Sequence, residues 1–148
     1  PKAMDDIRAY VGRNPGAANF EEAAELRATL LAGFEGVSRD RWLKEAHRHY
    51  VQTPKGLTIN YDPALRDAVN ASTGEAPDLW PLFDALGDLP LALIRGANSD
   101  LLTSGTAEKM RERRPDMIFA NVPGRGHVPF LDEPEALNAL NLWLEMLP

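Results

Sequence analysis

Two polar side chains follow predicted strands in the second half of the sequence. Asp100 lies in the segment 91–102 (LALIRGANSDLL), and His127 lies in the segment 119–133 (FANVPGRGHVPFLDE). Each segment begins with an apolar run typical of a buried strand, and the carboxyl ends of parallel strands meet at one edge of a sheet. An aspartate there can accept a hydrogen bond from one imidazole nitrogen while the other nitrogen takes a proton. We therefore predict that Asp100 and His127 form a catalytic acid and base pair.

The spacing of this pair supports a shared site. The two residues are 27 positions apart, which leaves room for a loop, a helix and a strand between them. Taken alone, Asp100 also fits a turn or a helix cap, and the glycines Gly124 and Gly126 before His127 also fit a tight structural loop. The order of the two residues, one after each of two successive strands, makes the catalytic interpretation the stronger one.

A nucleophile to complete such a site is missing from the sequence. The elbow that presents a reactive serine is commonly written G-x-S-x-G, and this pentapeptide does not occur in the 148 residues. Ser72 and Ser99 lack the strand and helix context of an elbow, so both are interpreted as loop residues. There is no cysteine to serve instead. We therefore predict that the reactive atom comes from another polypeptide segment.

Two histidines in the first half invite a metal interpretation. His47 and His49 share a predicted helix with Glu45, but residues two apart point to different faces of a helix. This spacing favours a solvated face over a metal site. We predict neither a metal nor an organic cofactor.

Two further groups of side chains have simple structural interpretations. Phe20, Phe34, Trp42 and Tyr50 could line a pocket for an apolar substrate, although their helical spacing favours ordinary packing. Arg111, Arg113 and Arg114 end a predicted helix, whose carboxyl terminus favours cations, so no special anion site is needed to explain them.

The first part of the chain is predicted to be mainly helical. Asn19 and Ser38 are capping signals for two amphipathic helices, and Asp62 followed by Pro63 starts a third that extends to about Asn70. The polar loop at 71–76 then marks a predicted boundary.

After the boundary a short helix runs from Asp78 to Leu86, and strands and helices alternate. The predicted strands are Leu91 to Arg95 and Met117 to Val122, and the helices are Thr103 to Arg114 and Asp132 to Met146. This order predicts an α/β fold in which the two strands are parallel and joined by a right-handed crossover.

Composition limits the kinds of partner. The net charge is −6 and the hydrophobic fraction is 44%, as expected of an ordinary globular domain without a basic face. Nucleic acid and anionic membranes are therefore not expected partners. No signal segment or apolar run long enough for a membrane span is visible, and a cytoplasmic location is the default expectation, although the sequence begins at Pro1 instead of Met.

The phrases LIRGANSDLLT and VPGRGHVPFLDEP resemble the acid and base segments of the α/β-hydrolase family, specifically members with a helical lid. The resemblance places Asp100 at the acid position and His127 at the base position. It implies that residues 1–70 form the lid and that residues 71–148 form the C-terminal part of the catalytic core. The implied fold class is an incomplete α/β-hydrolase fold, a helical lid followed by the last two parallel strands and flanking helices. The family's nucleophile-bearing first half has no counterpart.

The resemblance implies part of a hydrolase acting on small carboxylic esters or related carbonyl compounds. A serine from the missing half would attack the small-molecule substrate, His127 would transfer its proton and Asp100 would orient His127. An aspartate nucleophile would instead indicate dehalogenation or epoxide opening. A non-catalytic truncated or split interaction module is a third hypothesis. Because two strands alone leave unpaired edges, we expect association with a complementary N-terminal half, with another chain or with a second copy.

Overall fold

A computed structural model describes residues 2–71 and 77–147 of the chain. The chain divides into two compact units, Pro1–Gly74 and Glu75–Pro148. The division falls in the segment where the sequence predicts a boundary, and most of that loop, Ser72 to Ala76, lies outside the described residues.

Helices dominate the first unit, as the capping signals predict. Its helices are α1 (Lys2–Tyr10), α2 (Phe20–Leu30), α3 (Arg39–His49) and α4 (Leu65–Ala71). The side chain of Asn19 accepts a hydrogen bond from the amide of Glu22, and Ser38 accepts one from the amide of Arg41. These bonds satisfy amides at the helix starts that have no partner within the helix.

The third predicted helix begins two residues later than its Asp-Pro signal indicates. The side chain of Asp62 accepts a hydrogen bond from the amide of Ala64 at 2.9 Å, and its carbonyl accepts one from Leu65. Residues 62–64 therefore form a turn, and α4 starts at Leu65.

The first unit also contains a hairpin that the prediction of a mainly helical segment misses. Strand β1 (Tyr50–Thr53) pairs antiparallel with β2 (Gly56–Ile59), with Thr53 opposite Gly56. Gly56 has φ +104°, a conformation that L side chains rarely adopt, and the hydroxyl of Thr53 donates to its carbonyl. The side chain of Asn14 ties β2 to the loop before α2 by accepting from the hydroxyl of Thr58 and the amide of Ile59.

The packing of α2 against α3 forms the core of the first unit. The buried residues of these two helices are mostly small, and they are Ala23, Ala24, Ala46, Trp42 and Glu45. Small side chains let the two helices approach closely, while Trp42 is the largest buried side chain of the two helices.

The second unit has the predicted alternation of helices and strands. Its elements in chain order are α5 (Trp80–Asp84), β3 (Ala92–Gly96), α6 (Ser104–Arg113), β4 (Ile118–Val122) and α7 (Pro134–Glu145). Strands β3 and β4 pair in parallel, from Ala92 opposite Ile118 to Gly96 opposite Val122. The parallel pair joined through α6 confirms the topology expected from the sequence.

Val122 is the largest fully buried side chain of the described residues. It ends β4, and α7 packs against both strands of the sheet. The indole of Trp143 in α7 donates to the carbonyl of Pro90, just before β3. Packing of α7 against one face of the sheet therefore holds the strand ends in place. The loops that follow β3 and β4 begin at these fixed positions. No helix among the described residues is both long and apolar enough to span a membrane.

Candidate functional site

The loops that follow β3 and β4 begin side by side. Because Gly96 pairs with Val122 at the last rung of the parallel ladder, both loops leave the sheet at the same level. Two backbone hydrogen bonds extend the pairing into the loops, from Ala97 to the carbonyl of Val122 at 2.8 Å and from Asn98 to the carbonyl of Arg125 at 2.9 Å. The residues after Asn98 are thereby held beside those after Arg125.

His127 lies in the loop after β4 and is exposed. Its Nδ1 atom is 3.2 Å from Oγ of Ser99, a buried residue of the loop after β3. Among the described residues, Nε2 of His127 has no hydrogen-bond partner. One imidazole nitrogen is thus engaged and the other is open, so that with its proton on Nδ1 this histidine can act as a general base through Nε2.

Asp100 is the residue after Ser99, and its exposed side chain makes no hydrogen bond or ion pair within the described parts of the chain. The predicted hydrogen bond between Asp100 and His127 is therefore not formed, and Ser99 stands in its place. The reason is local, since Ser99 turns inward to accept a hydrogen bond from the amide of Leu102 at 3.1 Å. Its neighbour in the loop then points to solvent.

Arg95 and Ser99 are the residues of this site that the sequence interpretation missed. Arg95 is a charged residue within the apolar strand β3 and is only 6% exposed. That anomaly is the signal that could have identified it, because a buried arginine needs several acceptors nearby. Ser99 carries no comparable signal, since a serine before an aspartate after a strand is an ordinary loop residue.

The loop that carries His127 is held from its far side by a buried ion pair. Nε of Arg125 lies 2.7 Å from Oε1 of Glu133, whose side chain is 8% exposed. The two carboxylate oxygens of Glu133 also accept from the amides of Phe130 and Leu131. The contact between Arg125 and Glu133 thus joins the two ends of the segment that contains His127.

A cavity of about 280 Å³ lies on the same unit but away from these residues. It is formed between β4 and α7, with Phe119, Asn121, Glu135 and Leu142 in its lining, and none of Ser99, Asp100 and His127 lines it. This cavity is therefore not a candidate for the substrate site of His127.

The two histidines of α3 make separate contacts. Within the described residues no group of three metal-ligating side chains comes together. His47 stacks on the ring of Phe20 with centroids 3.8 Å apart, and His49 contacts the carbonyl of Glu45 through Nδ1 at 2.8 Å. His47 is exposed and His49 is half-buried.

The aromatic residues of the first unit make packing contacts. Phe34 meets Trp42 edge to face with centroids 5.6 Å apart, and Trp42 is 5% exposed. The guanidinium of Arg27 lies over the ring of Tyr50. These contacts agree with the packing interpretation that the helical spacing favours.

Each arginine at the end of α6 has its own partner. Arg111 and Arg113 lie over the rings of Phe119 and Trp80, and Arg113 also pairs with Asp84. Arg114 donates from Nε and Nη2 to the two oxygens of Asp116 at 2.9 and 2.7 Å. This hydrogen bonding lowers the pKa of Asp116 and raises that of Arg114 from their ordinary values.

Known proteins similar to this chain are hydrolases. No protein-family profile matches it. The chain is 34% identical over 143 residues to the 3-hydroxybutyrate-oligomer hydrolase of Cupriavidus necator, a match that covers 90% of the chain and 48% of that protein. It is 28% identical over 128 residues to the 2-(acetamidomethylene)succinate hydrolase of Mesorhizobium japonicum, covering 85% of the chain and 44% of that protein.

The chain is also similar to a hydrolase of known structure. The crystal structure of an α/β hydrolase from Novosphingobium aromaticivorans matches with a TM-score of 0.88 and 34% identity, over 99% of this chain and 53% of that one. The chain thus spans about half the length of the curated relatives and of the solved structure that it matches.

Proposed function

Because this chain belongs to the α/β-hydrolase family, we propose that it is part of an enzyme that hydrolyses small carboxylic esters, with His127 as the general base. The fold class predicted from the sequence, an incomplete α/β-hydrolase fold, is confirmed by the structural match. The observation that carries the functional proposal is the state of His127, whose Nδ1 is engaged by Ser99 while Nε2 is open to a substrate or nucleophile.

The chemistry follows from that geometry. A nucleophilic hydroxyl attacks the ester carbonyl, and Nε2 of His127 takes the hydroxyl proton as the carbon–oxygen bond forms. The imidazolium then donates this proton to the leaving alcohol, and a water activated in the same way releases the acid. A positioned base of this kind contributes about 10²–10⁴-fold to the rate.

We propose that the nucleophile is supplied by a polypeptide segment other than these 148 residues. The sequence contains no G-x-S-x-G elbow, and the chain spans about half the length of its relatives. Within the described residues β3 pairs only with β4, and large apolar side chains such as Leu82 and Leu89 are more than 60% exposed. Such edges and apolar surfaces favour association with a complementary segment. We propose that residues 1–70 are the lid segment of that enzyme.

The substrate class rests on the names of the relatives. The protein to which the chain is 34% identical is named for 3-hydroxybutyrate oligomers, and the other is named for 2-(acetamidomethylene)succinate. Oligomers of 3-hydroxybutyrate are joined by ester bonds, whereas the second compound carries an acetamide, so the proposed class is small carboxylic esters or related carbonyl compounds. Short 4-nitrophenyl esters and 3-hydroxybutyrate oligomers are the first two probes, because the relative with the higher identity is the one named for an ester. No metal or cofactor enters the proposal.

The proposal is tested in the active protein, which consists of this chain together with the segment that carries the nucleophile. His127→Ala is expected to lower kcat for a short ester by about 10²–10⁴-fold. His47→Ala is the matched control, because His47 is an exposed histidine that contacts Phe20 instead of the site. Equal turnover by wild type and His127→Ala would remove the assigned base.

The origin of the nucleophile has a separate test. The 148-residue chain alone is expected to show no ester turnover above background, and to gain it when the complementary segment is added. Size-exclusion chromatography with light scattering should show association. A stable monomer with robust turnover by itself would contradict the proposed need for a second segment.

A further inference from the structure

Strand β4 leaves one of its two edges unpaired. On the paired edge, the amide of Ile118 donates at 3.0 Å to the carbonyl of Leu91, the residue before β3. Because successive residues of a strand direct their backbone groups to alternate edges, Phe119 and Asn121 direct theirs away from β3. Within the described residues these N–H and C=O groups make no hydrogen bond. The outer edge of β4 therefore offers two donors and two acceptors.

This outer edge lacks the features that usually block an edge strand. Natural edge strands are commonly protected by a charged residue, a proline or a bulge. Strand β4, Ile118–Val122, contains no charged residue, proline or glycine, and its register with β3 is unbroken. Open backbone groups on such an edge are a template for pairing with a further strand.

The cavity of about 280 Å³ between β4 and α7 is a groove along this edge. One wall is the strand itself, and the other is a side of α7 that carries Glu135, Asn138 and Leu142 at helical spacing. Leu142 is 44% exposed, and the exposed side chain of Asn138 makes no hydrogen bond within the described residues. Helix α7 packs on both strands of the sheet, so it stands back from the edge and leaves room beside β4.

The opposite side of α7 suits the complementary segment of the proposed enzyme. Leu137 and Leu144 are 46% and 56% exposed, and the helical period places them on the side of α7 away from the groove, toward β3. Leu89, which is 61% exposed, lies shortly before β3 in the chain. A segment that pairs with β3 covers these leucines and leaves the edge of β4 uncovered.

The edge of β4 is complementary to a second copy of itself. In an antiparallel pair centred on Ala120, Phe119 of one copy lies opposite Asn121 of the other, and such a pair exchanges both of its N–H···O=C bonds. Every open backbone group of the edge is then satisfied. The two central residues form the close type of pair, with Cα atoms about 4.5 Å apart, and two alanine methyl groups fit there.

We propose that two copies of this chain associate through β4, in an antiparallel pair centred on Ala120 with their α7 helices side by side. The contact is isologous, so each groove receives the other copy's α7. Because the helices run antiparallel across the axis, Glu135 of one copy lies beside Leu142 of the other. The two Asn138 side chains meet near the axis, where an amide can both donate to and accept from its own copy. The contact is independent of the proposed ester hydrolysis.

Substitutions with opposite charges at position 142 test this contact. Leu142→Glu places a carboxylate beside Glu135 of the second copy, whereas Leu142→Lys places an ammonium there. In analytical ultracentrifugation of the 148-residue chain at low salt, we expect the wild type to dimerise and Leu142→Glu to raise the dimer Kd by about tenfold or more. We expect Leu142→Lys to dimerise at least about tenfold more tightly than Leu142→Glu, and about 1 M salt to remove this difference.

A second substitution shows that the interaction crosses the axis. Adding Glu135→Lys to Leu142→Glu should restore dimerisation, since each new carboxylate then lies beside an ammonium of the other copy. Positions 135 and 142 are two helical turns apart within one chain, about 10 Å, so an attraction within one copy does not explain the rescue. Leu137→Glu is the matched control on the other side of α7, and it should leave the dimer Kd within about threefold.

Cysteine cross-linking locates the axis. The chain has no cysteine of its own, so Asn138→Cys introduces a single thiol. Oxidation should join two Asn138→Cys chains in a covalent dimer, whereas Ser104→Cys, at an exposed residue at the start of α6, should stay largely unlinked.

Three results would overturn the proposal. One is a wild-type chain that stays monomeric both alone and with the complementary segment. Another is an equal loss of dimer with Leu142→Glu and Leu142→Lys, which would indicate an apolar surface without this register. The third is a loss with Leu137→Glu but not with Leu142→Glu, which would assign the association to the other side of α7. If the variants at position 142 do not fold, cross-linking of Asn138→Cys decides the question.

Discussion

Gly96 faces the carbonyl oxygen of Gly126 so closely that no side chain fits between them. A Cβ atom at Gly96 would lie under 3.0 Å from the carbonyl oxygens of Gly126 and Arg125, a distance that real Cβ atoms essentially never show. The obstacle is backbone, so it cannot move aside as a flexible side chain could. The last residue of β3 therefore defines how near the loop of His127 can approach.

Gly96→Ala should displace the loop of His127. We expect a loss of about 2 kcal/mol or more in the free energy of unfolding, because overpacking against backbone forces a main-chain shift. Urea unfolding measures the loss, and the imidazole NMR signals of His127 should change with it. Gly105→Ala is the control, since nothing lies within 4 Å of its added Cβ in α6. Equal stability of the two variants would show that the loop of His127 moves away from position 96 at little cost in free energy.

Glu133→Gln should weaken the loop from its other side. Glu133 is buried, pairs with Arg125 and accepts from the amides of Phe130 and Leu131, so its charge serves three contacts. We expect the free energy of unfolding to fall by about 2 kcal/mol, because charge-assisted bonds at a buried site are replaced by neutral ones.

The control for this variant is Glu108→Gln, at a pair with Arg111 in which both side chains are about half exposed. An exposed pair contributes at most about 1 kcal/mol, so this variant should unfold almost as the wild type does. Chemical denaturation of both variants measures the difference. Similar losses for Glu133→Gln and Glu108→Gln would mean that the buried pair does not hold the loop.

Arg95→Lys should disturb the site through the loop 97–103. A lysine keeps the charge but is a single ammonium that cannot reach four acceptors in the geometry of the guanidinium. Because buried carbonyls left without a donor cost about 1–3 kcal/mol, we expect a loss of at least that size in unfolding measurements. Arg111→Lys, at an arginine whose side chain is about half exposed, is the control and should change stability by less than about 0.5 kcal/mol.

The sequence predicted the elements of the site better than their contacts. Helix caps such as Asn19 and Ser38 depend on a side chain and an amide three residues away, so they can be recognised from a short stretch of sequence. The apolar runs that became β3 and β4 are read equally well, and the parallel topology follows from the helix between them. The strands β1 and β2 were missed because each has only four residues, too few for a clear alternation.

The choice between Ser99 and Asp100 was beyond the sequence. Both residues follow the same strand, and which of them turns toward His127 depends on Arg95 and on the amide of Leu102. These contacts are set by the path of the loop backbone, which residue types alone do not determine. The sequence therefore predicted the loop in which His127 lies, but not the residue that forms a hydrogen bond with it.

The pairing of Arg114 with Asp116 should make the stability of the chain depend on acid. Because the hydrogen bonds from Arg114 lower the pKa of Asp116, the folded pKa lies below the value of about 3.9 for an unfolded aspartate. The contribution of the pair is therefore fully present above about pH 4, and it is lost as the pH falls through the lower folded pKa.

Asp116→Asn removes that dependence while keeping the shape of the side chain. In urea unfolding, the wild-type chain should be more stable than this variant by a constant amount between about pH 5 and pH 7, and the difference should shrink as the pH falls below about 4. Subtracting the two curves cancels the titration of all other groups that the variant leaves unchanged. A difference that grows toward low pH would mean that the pKa of Asp116 is raised in the folded chain, which is the opposite of what its two hydrogen bonds from Arg114 require.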